Sequence, residues 1–375
     1  MFRQTFAKIN LLHLKYNIEF IRSHLSSDQF LCPMIKANAY GCGVIPVASA
    51  LRDVNIRRFG VALVEEAVEL RENGFQQEDI YVFSTFTQES LRVCKELRLT
   101  PIVGSLDDLI LLSKLKEQIS IHLMFNTGMQ RLGVVNEDSS TILKLLENNP
   151  QIRLMGICTH LATAEDFSEE NSFAKSQLKE ISSIRSRFSS SDFHLHALNS
   201  AGFMGALDQG IENYKEYGVR PGLLMYGVNT FSPQIFKPKP VMSLISQLIK
   251  IQKVNKGQGV SYGHTWRPAR DTFIGVVAIG YADGVFRQLS SKIEFLIKGH
   301  KVKLVGAVCM DYLMVDLGDI VQSRSEAENL IGEEVLLFGE NLYGSADITN
   351  VAENAGTNSY DIMSRVGVRV PRVYS

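Results

Sequence analysis

The chain has 375 residues, 45% of them hydrophobic, and a formal net charge of -1. That much apolar material suits two domains with their own cores, and the even charge balance gives no bulk attraction for nucleic acid or an anionic membrane surface. Five scattered cysteines without a Cys-x-x-Cys spacing argue against a disulfide framework and a zinc ribbon.

In chain order, Arg3–Leu12 alternates as a strand does and is expected to pair with the second domain. From residue 30 to about 225, short apolar runs alternate with amphipathic segments. The strand-like runs are Phe30–Lys36, Arg58–Val64, Asp79–Thr85, Thr100–Gly104, Ile119–Asn126, Arg153–His160, Phe193–Asn199 and Tyr217–Arg220. Helices are predicted between most of them, over Val44–Arg52, Glu65–Asn73, Leu106–Lys116 and Ser168–Arg187 among others. Eight strands alternating with helices predict an α/β fold, a parallel (β/α)8 TIM-type barrel spanning residues 11–235. A doubly wound sheet needs fewer strands, and no Gly-x-Gly-x-x-Gly follows an early strand. Phe236-Lys237-Pro238-Lys239-Pro240 reads as a stiff, exposed linker. Beyond it, strand-rich stretches with turn signals such as Lys298-Gly299 predict a mostly β domain, residues 236–375 joined by residues 1–10. A helix is expected from about Ala346, with Asp347 in its first turn. Met1–Thr5 has no charged-then-apolar pattern and no apolar run reaches spanning length, so a cytoplasmic setting without membrane attachment is expected.

Lys36 carries the most information. It ends an apolar run and is followed by Tyr40, Gly41 and Gly43. Desolvation there frees an amine nucleophile that can hold a carbonyl cofactor; taken alone, it also reads as a lysine that snorkels from a strand end. The other predicted strands end in polar groups too: Asn126 with Arg131 shortly after, His160, Asn199-Ser200, and Arg220-Pro221-Gly222. Such groups are costly on apolar strands unless paired or used, and barrels of this type gather their catalytic residues at these ends. Singly, His160 also fits a core histidine, Ser200 a helix cap, and Arg131 and Arg220 surface residues. Together, Ser200, the amides near Gly222 and Leu223, and the Tyr40 hydroxyl suit a phosphate cradle. The histidines show no metal-ligand spacing, so no metal is expected.

These motifs resemble the alanine racemase family, pyridoxal-phosphate enzymes of fold type III, over nearly the whole chain. The residues that carry the resemblance are Lys36-Ala37-Asn38-Ala39-Tyr40-Gly41-x-Gly43, Gly128-Met129-x-Arg131-Leu132-Gly133, Arg220-Pro221-Gly222, Ser261-Tyr262-Gly263, Gly280-Tyr281-Ala282-Asp283-Gly284 and Cys309-Met310-Asp311, in order. The resemblance implies that Lys36 carries pyridoxal 5'-phosphate and that Tyr40, Ser200, Gly222, Leu223 and Tyr360 hold its phosphate. It places Arg220 at the ring nitrogen, with His160 linking Arg220 to Tyr262. Arg131 and Met310 would bind the substrate carboxylate, and Tyr281 would narrow the entrance. Lys36 and Tyr262 would be the two bases, with Tyr262 supplied across a head-to-tail homodimer. The implied activity is interconversion of L- and D-alanine for peptidoglycan; a broader racemase acting on serine or basic amino acids is the alternative. Two departures stand out. Met124 replaces a lysine that is carbamylated in some members and supports the substrate arginine, leaving Asn126 or an anion for that task. Cys42 stands where histidine is common.

Overall fold

The computed structural model describes residues 3–167, 172–188, 193–209, 211, 213–228 and 235–375. Seven strands form one parallel sheet in sequence order: Arg58–Val61, Asp79–Val82, Thr100–Val103, Ile119–Met124, Ile152–Cys158, His194–Leu198 and Gly218–Val219. Most of their apolar residues are buried, as a parallel sheet covered by helices requires. The predicted first strand is not a regular strand but joins both edges of this sheet. Val219 donates to the Phe30 carbonyl (2.7 Å) and Cys32 to that of Val219 (2.9 Å), while Gly60 donates to Pro33 (2.9 Å) and Ile35 to Gly60 (2.8 Å).

The intervening helices follow the predicted periodicity within a few residues, as in Val44–Asp53, Val64–Glu72 and Leu106–Ser113. The long one is described as Phe173–Arg185, capped by Ser172; the expected start at residues 168–171 lies outside the described residues. Asp347 caps the helix Ile348–Ala355, accepting from Thr349 at 2.8 Å.

A second sheet has nine strands among the described residues. Phe6–Ile9 lies between Met242–Val254 and Arg372–Tyr374, so the chain's start belongs to this sheet. At the expected Lys298-Gly299 turn, Glu294–Ile297 pairs with His300–Leu304 as a hairpin, because Lys298 and Gly299 take the positive φ that a tight turn needs.

The linker is pinned as well as exposed: Lys237 and Lys239 face solvent while Phe236 and Pro238 are buried. Phe236 is buried and stacks on Phe20 with centroids 3.6 Å apart. Asn17 exchanges two 2.8 Å bonds with the Lys239 backbone. The aromatic face of the first helix, Leu11–Ser23, thus captures a segment whose prolines alone suggested a free spacer. Among the described residues no helix is long and apolar enough to cross a membrane.

Candidate active site

Lys36 opens a single turn of left-handed helix. Ala37, Asn38, Ala39 and Tyr40 all have φ between 52 and 56°. Each costs about 1–2 kcal/mol relative to a right-handed residue, on the order of 4–8 kcal/mol for the turn. Only dense local bonding can hold such backbone. Glu66 supplies part of it: one carboxylate oxygen accepts from the Ala37 amide, the other from Ala62 (2.7 Å) and Leu63 (3.1 Å). Asn38 Oδ1 accepts from Val44 (2.7 Å), and Arg372 donates to the Gly41 carbonyl (2.9 Å). Gly41 itself has φ 82°, and a Cβ there would sit 2.5 Å from the Met363 carbonyl oxygen.

The turn sets Lys36 in a mostly desolvated place. Burial pulls its amine below the ordinary lysine range, the Arg131 charge adds to this, Glu66 opposes it, and Arg220 lowers it further. Tyr40 projects from the same turn against Tyr226 (centroids 4.7 Å apart) and Tyr360 (5.6 Å). Gly222 lets the Tyr40 hydroxyl approach; a Cβ at Gly222 would lie 2.5 Å from that oxygen. Ser200 begins the helix Ser200–Asp208, whose cap Asn199 accepts from Gly202 at 2.8 Å. Ser200 Oγ accepts from the amides of Gly222 (2.9 Å) and Leu224 (3.2 Å). The amide between them, on buried Leu223, donates to no acceptor among the described residues. A buried orphan N–H beside a serine hydroxyl, a helix N-terminus and a tyrosine hydroxyl fits a phosphate.

Arg220 is buried, and its guanidinium donates to His196 Nδ1 (2.7 Å), the His196 carbonyl (2.8 Å) and the Thr159 carbonyl (2.7 Å). His196 continues to His122 at 2.8 Å. Arg220's hydrogen bonds among the described residues go to His196 and Thr159, and none joins it to the expected His160. His160 remains in the group electrostatically. Burial, followed by the charges of Arg220, Arg131 and Lys36, pushes its imidazole down to about 3, so it is neutral.

Arg131 is exposed. Asn126 does not orient it: its oxygen accepts from the amides of Gly128 and Gln130, and its amide donates to Gln130 Oε1 (2.8 Å). Met124 is buried among Phe30, Cys32, Tyr81, Ile102 and Cys158, an apolar substitute for the missing lysine.

Tyr262, Tyr281 and Met310 form a separate exposed group on the β domain, 71, 44 and 52% accessible respectively. Ser261 and Cys309 approach at 3.5 Å, Tyr281 donates to the Cys309 carbonyl (2.9 Å) and Ala282 to that of Met310 (3.0 Å). No hydrogen bond or ring contact among the described residues joins this group to Lys36.

Three positioning residues were not anticipated from the sequence. Glu66 occupies the third position of a helix, where a glutamate that reaches back to preceding amides is a known signal. Buried Gln177 donates to Thr127 Oγ1 and the His160 carbonyl (both 3.1 Å) and accepts from Ala162, tying two strand-end loops together; nothing in a helical pattern marks it. His196 was noted only as lacking metal spacing.

A desolvated lysine on a constrained turn, with a phosphate-type cradle and a buried arginine at one end of a parallel sheet, is a site suited to an enzyme that holds a phosphate-bearing carbonyl cofactor. The family models for the alanine racemase N-terminal and C-terminal domains match residues 9–230 and 241–374. The alanine racemase of Thermodesulfovibrio yellowstonii is 35% identical, covering 98% of this chain and 97% of its own. That of Halothermothrix orenii is 31% identical, over 99% and 97%. The chain belongs to the alanine racemase family. The crystal structure of the Bacillus anthracis alanine racemase with bound L-Ala-P superposes with a TM-score of 0.87 at 30% identity, covering 100% and 96% of the two chains. The Bartonella henselae alanine racemase, which carries covalently bound pyridoxal phosphate, shares the fold with a TM-score of 0.88 at 24% identity, over 99% of both chains.

Proposed function

We propose that this chain interconverts L- and D-alanine with pyridoxal 5'-phosphate held on Lys36, using Lys36 and Tyr262 as bases on opposite faces of the substrate. The carrying observation is the desolvated Lys36 amine on its left-handed turn, at the mouth that also holds the orphan Leu223 amide and Ser200. Pyridoxal phosphate, when bound, supplies an electron sink that makes the substrate α-proton removable.

The remaining work falls to the protein. Tyr40, Ser200, Gly222, Leu223 and Tyr360 bind the phosphate. Arg220, held by His196 and two carbonyls, would face the ring nitrogen with a guanidinium that stays charged and donates only. Neutral His160 feels the charges of Arg220, Arg131 and Lys36 without adding one of its own. Arg131 and the Met310 backbone bind the substrate carboxylate, and Tyr281 narrows the entrance. Lys36, its pKa lowered, moves a proton on one face and the Tyr262 hydroxyl on the other.

The exposure of Tyr262, Tyr281 and Met310, and their separation from Lys36 within one chain, support a head-to-tail homodimer in which the partner's Tyr262 completes each site. We divide the chain at residues 11–235, a closed (β/α)8 barrel with segment 30–35 as its first strand, and 236–375 with 1–10. The product serves a cytoplasmic supply of D-alanine for peptidoglycan.

The test is chiral chromatography of L- and D-alanine incubated with the purified protein. Wild type should carry either enantiomer to an equal mixture, and Lys36→Ala should not. Full activity in Lys36→Ala would sink the assignment.

A further inference from the structure

The opposite, N-terminal end of the parallel sheet holds charged groups that the proposed reaction does not use. A cavity of about 420 Å³ opens there, lined by Arg58, Asp79, Tyr81, Lys95, Arg98 and His122 among others. Arg58 and Asp79 begin neighbouring strands. Arg58 Nε is buried and hydrogen-bonds to nothing among the described residues; the facing carboxylate oxygen of Asp79 stands 3.8 Å away, beyond hydrogen-bond reach.

His122 contributes a second orphan donor, and the hydrogen-bond chain fixes where its proton lies. Arginine can only donate, so His196 Nδ1 accepts from Arg220 at 2.7 Å. The His196 proton is then on Nε2, from which it is donated to His122 Nδ1 at 2.8 Å. That leaves the His122 proton on Nε2. His122 is 1% exposed and lines the cavity, and its Nε2–H meets no acceptor among the described residues. Burial and the neighbouring His194, Arg58 and Arg220 hold His122 neutral, so it brings a donor without a charge. Three cations, Arg58, Lys95 and Arg98, against the single Asp79 carboxylate leave two positive charges at the rim, which a dianion balances.

We propose that this cavity is a second binding site, for a small oxyanion of the phosphate class, held by Arg58 and His122 with Lys95 and Arg98 at its rim. An oxyanion that accepts from His122 Nε2–H also locks the order of protons that gives Arg220 its acceptor at His196. His122 is thereby a positioning residue for Arg220. This link rests on the role proposed for Arg220; the binding itself does not.

The test is calorimetric titration of inorganic phosphate into the holoenzyme in phosphate-free buffer at neutral pH. One saturable site per chain is expected. Arg58→Met should weaken it by about tenfold or more, in line with the strength of charge-assisted phosphate pairing. Arg98→Gln, at the exposed rim, should weaken it less, and Asp79→Asn should tighten it. Nitrogen-15 histidine spectra should show the His122 and His196 ring signals moving with saturation. Absence of saturable heat, equal affinity in Arg58→Met with unchanged secondary structure, or loss of binding in Arg131→Lys would overturn the proposal, the last because it places phosphate at the Lys36 end. Because heat and ring signals are read directly, failure of the racemase reading leaves this result interpretable.

Discussion

Replacing Glu66 by glutamine probes how the Lys36 turn is held. The carboxylate accepts from Ala37 on one oxygen and from Ala62 and Leu63 on the other. An amide has one accepting oxygen, so it must abandon one side. The smaller loss is the Ala37 bond, with the NH2 group then facing the Ala37 N–H. Losing one charge-assisted bond at this exposed amide, which water can then satisfy, costs about 1–2 kcal/mol. This falls on a turn that already carries the backbone cost of four left-handed residues. Urea unfolding of Glu66→Gln should show that loss in the midpoint with an unchanged slope, and the affinity for pyridoxal phosphate should fall with it. The charge also matters. Glu66 raises the Lys36 pKa against burial and Arg131, so its removal should shift the pH profile of aldehyde addition to Lys36 toward lower pH. Unchanged stability together with an unchanged or upward-shifted profile would refute the reasoning.

Gly222→Ala places a methyl 2.5 Å from the Tyr40 hydroxyl position; cofactor affinity, read by equilibrium dialysis, should fall by roughly tenfold or more, while overpacking costs about 1–3 kcal/mol of stability. Arg220→Ala leaves His196 Nδ1 and two carbonyls without their donor and should cost about 1–3 kcal/mol in urea unfolding, with Arg220→Lys recovering only part. His122 sits at about 3 in the folded chain against an ordinary 6.5. A depressed histidine makes the unfolded state bind the extra proton, so its contribution is intact above pH 6.5 and lost as pH falls toward 3. The loss reaches about 2 kcal/mol at pH about 5, and His122→Phe should flatten that part of the stability-against-pH curve.

The strand ends and the order of motifs were legible because parallel strands announce themselves as apolar runs, and a polar residue closing such a run stands out. Lys36, Arg220 and Ser200 each stand at the end of such a run. The left-handed turn was not: Asn38, Gly41 and Gly43 tolerate positive φ, but Ala37, Ala39 and Tyr40 carry no such signal. Its conformation is imposed by Glu66 and Arg372, distant in sequence. The same limit hid the partner of Arg220. His160 and His196 both lie at or near strand ends, and only the packing of neighbouring strands decides which ring reaches the guanidinium. The pinning of the linker was hidden for a related reason, since Phe20 and Phe236 meet only after the first helix docks.

The central claim, two bases from two chains, is tested most directly by mixing inactive variants. In a head-to-tail dimer each site takes Lys36 from one chain and Tyr262 from the other. Lys36→Ala and Tyr262→Phe homodimers should each be inactive in alanine racemisation. Dissociated, mixed in equal amounts and reassociated, they should regain about a quarter of wild-type activity, because half of the dimers are hybrids with one intact site of two. No recovery in mixtures shown by mass spectrometry to contain hybrid dimers would contradict the account.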